Sequence, residues 1–285
     1  MRTGAFTLLC VGATVASLTV GGCQSMDAML KAAPKPTARI LGASPRNLTL
    51  NGVDLIFDVE VSNPYAVGLP LTDMDYSIGS RGQTLLQGNI KPSGAVPAGG
   101  SSVIQLPARI GFASLFETLK GVRPGSVIPY KADITLAVDA PVVGRINLPL
   151  SKSGDLPVPA VPEVELVAFN VGALSLDKAE ATARLRLKNN NQFAIDLSKL
   201  GMEIALGGNQ VARSGLSSST RLAPGQSATI DIPLRFAPRN FGMGLFNLLK
   251  GGESGYSVSG LIEAGSAYGP LSLPYSSSGS TRITR

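Results

Sequence analysis

The chain has 285 residues, 44% of them hydrophobic and 15% charged, and carries a formal charge of +6. This is the composition of folded domains, not of a disordered shield. His is absent altogether, which removes Ser-His-Asp triads, Cys-His dyads, His-ligated zinc and most imidazole acid/base chemistry, while scattered basic residues and the lack of Trp argue against a nucleic-acid partner.

Residues 1–22 open with Met1 and Arg2, continue through an apolar run at 6–20 too short to span a bilayer, and end in Gly21 and Gly22. This is the pattern of a secretion signal. Its end, "LTVGGCQS", resembles the lipobox of bacterial lipoproteins, which implies cleavage between Gly22 and Cys23 and acylation of Cys23 by fatty chains such as palmitate. Cys10 falls in the discarded part, so Cys23 is the sole mature cysteine in an oxidising export route. Acyl chains contribute about 0.8 kcal/mol per buried methylene, enough to hold the chain on a membrane without spanning it. By resemblance to Gram-negative sorting rules, Gln24 after the cysteine implies the outer membrane, facing the periplasm. Residues 23–36 then form a lipidated spacer stiffened by "PKP".

From residue 37 the period is two. Val53, Leu55, Phe57, Val59 and Val61 alternate with Asp54, Asp58 and Glu60, which predicts a half-buried strand. The stretch "NPYAVGLPL" at 63–71 is read as the joint between that strand and the next, with Asn63 bonding its own turn backbone and only Tyr65 and Val67 left exposed for outside contacts. Met74, Tyr76 and Ile78 continue the alternation; after the turn signal "PAGG" come Ser102, Ile104 and Leu106. "SLFETLKG" at 114–121 has helical spacing of Leu115, Phe116 and Leu119, with Ser114 as expected cap, Glu117 completing a capping box and Gly121 closing the end. Alternation at 130–138 and a short strand ending at "INLPL" complete the set.

A shift of 126 positions superimposes 53–110 on 179–236 without a gap, pairing Asn63 with Asn189, Leu71 with Leu197 and Arg109 with Arg235. A four-residue insertion brings "SLFETLKG" onto "GLFNLLKG", and a shift of 125 then matches "LPLSKSG" to "LPYSSSG". The period is a domain's length. The expected organisation is a first domain at 37–154, a Pro-rich linker at 155–162, a second domain at 163–280 and a frayed tail at 281–285. The fold class expected is all-β: two tandem immunoglobulin-like or fibronectin III-like antiparallel β-sandwiches of seven or eight strands, each with one short helix.

The strand "LIFDVEVSNPYAVGLPLTDMDYSI", the turn "VPAGGSSVIQLP", the helix "LFETL" and the closing "NLPLSKSG" together resemble the type 2 late-embryogenesis-abundant family, whose unit is also called the water-stress and hypersensitive-response (WHy) domain. The second copy departs from the pattern at "NNNQFAIDL", which lacks both prolines and the glycine. The resemblance implies a β-sandwich, an association with desiccation and osmotic stress, and no active site or cofactor.

The function expected is therefore that of a non-enzymatic, lipid-anchored envelope protein that supports desiccation or osmotic tolerance by binding or stabilising envelope components. Two other readings stand beside it: carriage of a lipid or hydrophobic ligand in a sandwich opened along one edge, and service as an adaptor for another envelope protein. No catalytic or metal-ligating residue is expected. Asp73 and Asp75 share a strand face but become Lys199 and Gly201 in the second copy, so they read as a solvated face. Arg109 and Arg235 read as structural ion-pair partners before a shared anion site.

Overall fold

The computed structural model describes residues 34–141 and 143–285, so the expected leader, Gly22 and Cys23 lie outside the described residues. The first alternating run becomes β2 (Gly52–Ser62), with Val53, Leu55, Phe57, Val59 and Val61 at most 1% exposed. It is the middle strand of a sheet with β1 (Thr37–Arg46) and β6 (Ser101–Gly111). A second sheet runs in the order β4 (Gln83–Ile90), β3 (Leu69–Ser80), β7 (Val127–Ala140), β8 (Gly144–Pro157), and the two-residue β5 (Ala95–Val96) adds to β3. Met74, Ile78, Ile134 and Leu136 from this sheet join the β2 side chains in a core that excludes water.

The second repeat builds the same two sheets. β10 (Ala179–Lys188) lies between β9 (Glu163–Leu174) and β13 (Ser227–Phe236), and the other sheet runs β12 (Asn209–Leu222), β11 (Ile195–Leu206), β14 (Gly252–Ser266), β15 (Gly269–Thr284). All pairings are antiparallel except a short parallel bridge from Ile283 and Thr284 of β15 to Phe169 and Asn170 of β9, which joins the two sheets. The fold is thus all-β, in two repeated antiparallel sandwiches.

Both repeats carry the same irregularity where the inward parity changes. Leu69 is buried on odd numbers and Met74 and Ile78 on even ones, because the register slips at Thr72 between Leu71 and Asp73. The slip recurs at Ser198. In each case the hydroxyl donates to a carbonyl across the strand, Thr72 to Ala137 at 3.1 Å and Ser198 to Glu263 at 2.9 Å. A bulge leaves a ladder carbonyl without its amide, and the hydroxyl fills that gap.

The predicted helix starts earlier than its expected cap. α1 (Phe112–Thr118) begins after Gly111 with no side-chain cap, so Ser114 lies inside it and the capping box does not form. β6 delivers the chain directly into the helix two residues before Ser114, and the first helical amide, that of Phe112, is satisfied by the Asn51 carbonyl at 2.9 Å. Gly121 does adopt the left-handed conformation, at φ +83°. Phe112, Leu115 and Leu119 are buried, whereas Phe116 is 37% exposed. In the second repeat the inserted residues form a 3-10 turn (Pro238–Phe241) ahead of α2 (Met243–Leu248).

The two repeats meet in one compact unit, Pro36–Arg285. Residues 155–157 of the expected linker are the end of β8, and Leu156, Val158 and Ala160 are at most 9% exposed. The segment is held from both sides. Val158 exchanges backbone bonds with Gly125 and Ser126 of the first repeat, at 2.7 and 2.8 Å, while the Asn191 amide of the second repeat grips the Ala160 backbone, accepting from its N–H at 2.7 Å and donating to its carbonyl at 3.0 Å. Gln192 donates its N–H to the Gly125 carbonyl at 2.7 Å and accepts the Val127 N–H on Oε1 at 2.8 Å. Gly125 is required here: it sits at φ +92°, and a Cβ would stand 2.4 Å from the Asn190 carbonyl. Leu48, 5% exposed, borders a recess that Ser198, Pro270 and Leu271 of the second repeat also line.

The expected frayed tail is ordered strand. Thr281 and Ile283 are buried and residues up to Thr284 belong to β15. The corresponding part of the first repeat, at Val158, is drawn into the junction, whereas Ile283 and Thr284 of the second repeat close the sandwich against β9.

Candidate functional site

The stretch 63–71 is built around one side chain. Asn63, 2% exposed, donates Nδ2 to the carbonyls of Val67 at 2.8 Å, Val96 at 3.1 Å and Pro97 at 3.0 Å, and accepts the Tyr65 N–H on Oδ1 at 2.9 Å. Asn189, 0% exposed, makes the same set 126 residues on, donating to Phe193 at 2.9 Å, Leu222 at 3.0 Å and Ala223 at 3.2 Å and accepting from Asn191 N–H at 3.0 Å. Two amide hydrogens serve three acceptors, so one bond is shared. The chain crosses here from one sheet to the other, and the Asn satisfies the carbonyls that the crossing strands leave open. This is a joint, as expected, and has no capacity for chemistry.

Of the two side chains expected to reach outward, Val67 does, at 52% exposure. Tyr65 does not: it is half-buried against the core and its hydroxyl is enclosed without a hydrogen-bond partner. Its counterpart is Asn191, which became the clamp on the junction. The replacement of Tyr65 and Ala66 by Asn191 and Gln192 was the sequence signal for that contact, visible as a departure from the repeat but not interpretable without knowing what faces it.

Asp73 pairs with Arg145 at 2.9 Å and Asp75 accepts from Asn89 at 2.7 Å, so the two carboxylates serve separate surface partners. Arg109 lies opposite Asp54 at 4.0 Å, and Arg235 approaches Glu180 at 3.6 Å, in equivalent register positions of β6 and β13. Both arginine side chains are at least 80% exposed, and such pairs contribute about 0–1 kcal/mol. Where carboxyl groups move from their ordinary range they move down: the Lys131 ammonium holds Asp133 low, Lys178 does so for Glu180, and the Arg184 guanidinium for Asp231. These are carboxylates held ionised, not general acids. Burial pushes the Tyr275 phenol up to about 12. Among the described residues no group of three or more Cys, Asp or Glu could hold a metal ion.

Among the described residues several recesses have the size of a ligand site, and one of them is lined by a regular array of polar strand residues. A cleft of about 700 Å³ lies on the outer side of the β4-β3-β7-β8 sheet, at the end carrying the β3–β4 turn. Register sets its lining: Thr84, Gly79, Lys131 and Ser153 form one row across four strands, and Ser77 and Asp133 stand in the next. Gly79 makes the floor, since it projects no side chain and a Cβ there would stand 2.9 Å from the Gln83 carbonyl. Arg81 and Gly82 form the turn at the rim, at φ +50° and +78°. In the sequence these residues read as a solvated strand face; the missing side chain at Gly79 that hollows it was not separable from an ordinary turn glycine.

Comparison with known proteins places this framework. The model of the family described as Late embryogenesis abundant protein matches residues 58–154 and 184–279, one segment in each sandwich. A desiccation protectant protein Lea14 homolog of Glycine max is 28% identical over 131 residues, covering 46% of this chain and 86% of that protein. A desiccation-related protein of Arabidopsis thaliana is 30% identical over 128 residues, 45% of this chain and 77% of that protein. The solution structure of a late embryogenesis abundant protein shares 29% identity with a TM-score of 0.40, covering 48% of this chain and 79% of that one. Each relative thus spans about one repeat, and the family model is met twice. The chain belongs to the type 2 late embryogenesis abundant protein family, with two copies of its unit in tandem.

Proposed function

We propose that this is a non-enzymatic protein of desiccation or osmotic stress, held by acyl chains on Cys23 at the periplasmic face of the outer membrane, where it binds or stabilises envelope components. The observation that carries the stress reading is the family match over both repeats, together with relatives named for desiccation. Support for a binding rather than a catalytic role comes from the chemistry at hand. The chain has no His, its shifted carboxylates are held ionised by surface cations, and the buried amides of Asn63, Asn189 and Asn191 are committed to backbone groups. The anchor rests on the lipobox-like "LTVGGCQS".

Two experiments test the parts separately. A deletion strain is expected to survive drying, high salt and detergent less well than its parent, with recovery on complementation; unchanged survival would remove the stress role. Intact mass of the mature protein is expected to show an acylated N-terminal Cys23, lost in Cys23→Ala; a free, unmodified Cys23 would remove the anchor.

A further inference from the structure

We propose that the cleft over Gly79 binds a sugar bearing a carboxylate or phosphate group, with Arg81 taking the anion and the strand hydroxyls taking the sugar. This rests on the reading that the protein binds envelope components and names the chemistry of one of them.

The argument begins with a turn built twice. Arg81 and Gly82 join β3 to β4, and Gly207 and Gly208 join β11 to β12 in the same left-handed geometry, at φ +53° and +81°. The second repeat uses glycine, which meets no steric penalty there; the first places a long side chain at φ +50°, a conformation costly to any residue with a Cβ apart from Asn and Asp. Arg81 is exposed and, among the described residues, has neither an ion pair nor a side-chain hydrogen bond, so no internal contact repays that strain. What it does border is the cleft.

The floor shows the same asymmetry. Gly79 leaves the first sheet without a side chain at this point, whereas the register position in the second repeat is Ala205, which carries a methyl. Around the hollow, Ser77, Thr84 and Ser153 present hydroxyls and Gln83 an amide, while Lys131 is neutralised by Asp133 at 2.8 Å. Small neutral donors and acceptors at strand spacing match a polyhydroxyl ring. Of the two cations on this lining Arg81 is the one without a partner among the described residues, and its planar fork matches a carboxylate or phosphate in two parallel bonds. Asp155, on the lining near the junction, accepts from a sugar hydroxyl and disfavours a second anion at that end. A volume near 700 Å³ suits a mono- or disaccharide.

The test is a calorimetric titration of the full-length chain in detergent with cellobiouronic acid, glucose 6-phosphate, cellobiose and inorganic phosphate. Wild type is expected to bind at least one acidic sugar roughly tenfold more tightly than cellobiose or phosphate alone. Arg81→Gly is expected to bring the acidic sugars down to the cellobiose level while raising Tm, because glycine relieves the turn; folding is therefore not in question for the decisive variant. Ser153→Leu, which fills the cleft from an exposed position, is expected to weaken every sugar. Preference for cellobiouronic acid or for glucose 6-phosphate assigns the anion as carboxylate or phosphate. Equal affinity for acidic and neutral sugars, binding of inorganic phosphate as tight as either acidic sugar, an unaltered Arg81→Gly, or no binding up to about 10 mM would each overturn the proposal. Such a failure leaves the survival and Cys23 mass experiments to decide the broader reading by themselves.

Discussion

The Asn joints give a sharp perturbation because the same hydrogen-bond set occurs twice in one chain. In Asn189→Ala, two amide hydrogens and one side-chain carbonyl disappear from a site with 0% exposure, stranding the Phe193, Leu222 and Ala223 carbonyls and the Asn191 N–H and amide. At about 1 kcal/mol net for each of the two amide hydrogens and the two accepted bonds, the loss is about 4 kcal/mol. Asn63→Ala loses one accepted bond fewer, since Oδ1 takes only the Tyr65 N–H, and is expected to cost about 3 kcal/mol. Asn63→Asp separates donors from acceptor: it keeps the bond from Tyr65 but turns a negative oxygen toward three carbonyls, and is expected to cost more than Ala at neutral pH. Equilibrium urea unfolding of each variant, followed by circular dichroism, reads these losses as shifts in midpoint at constant slope. Hydrogen exchange at the Val158 and Ala160 amides is expected to quicken in Asn189→Ala, because Asn191 then loses the anchor for its grip on Ala160. Losses under about 1 kcal/mol at both sites, or an Asp variant more stable than the Ala variant, would refute the account of the joint.

Three further substitutions probe the packing. Leu48→Ala is expected to cost about 2–4 kcal/mol and to split thermal unfolding of the tandem into two resolved calorimetric transitions, since this buried side chain belongs to one repeat and borders a recess shared with the other; a single transition at unchanged temperature counts against the junction. Gly154→Ala is expected to cost about 1–3 kcal/mol, because its Cβ would stand 2.8 Å from the Tyr130 hydroxyl and 2.9 Å from the ring, and Tyr130→Ala in the same chain should recover part of the loss in a double-mutant cycle. Tyr275 sets a high-pH limit. Its folded value near 12 lies above the usual phenol value of 10, so the stabilisation is complete below pH 10 and is lost as pH rises from there toward 12. The fall is at most about 2 kcal/mol, allowing for solvent near the hydroxyl, and Tyr275→Phe should flatten it in unfolding curves taken between pH 9 and 12.

Much of the fold was legible because strand patterning is local. Val53 to Val61 alternate in sequence, and side chains two apart must share a face, so burial of the whole row needs no knowledge of its partner. The repeat added independent evidence: two divergent copies that keep Asn189 under Asn63 expose a position fixed by backbone geometry. Helix caps were less legible. Ser114 and Glu117 fit a capping box, but the helix starts two residues earlier at Phe112, whose amide is met by the carbonyl of Asn51, a partner 61 residues away that only the packing supplies. The tail failed for a similar reason. Residues 281–284 look weakly patterned, yet Ile283 finds a place against β9 because the two sheets of that sandwich meet there.

The sequence by itself determined an all-β chain, its duplication, the joint at 63–71 and the absence of imidazole chemistry, because each follows from periodicity, self-similarity or composition. Tertiary structure alone decided that residues 155–162 are a clamped seam and not a loose spacer, that Tyr65 turns inward while its counterpart Asn191 grips Ala160, and that Gly79 and Arg81 border one hollow. Each of those facts depends on which groups the folded chain brings opposite one another, and a pattern of period two says which face a side chain takes but not what stands across from it.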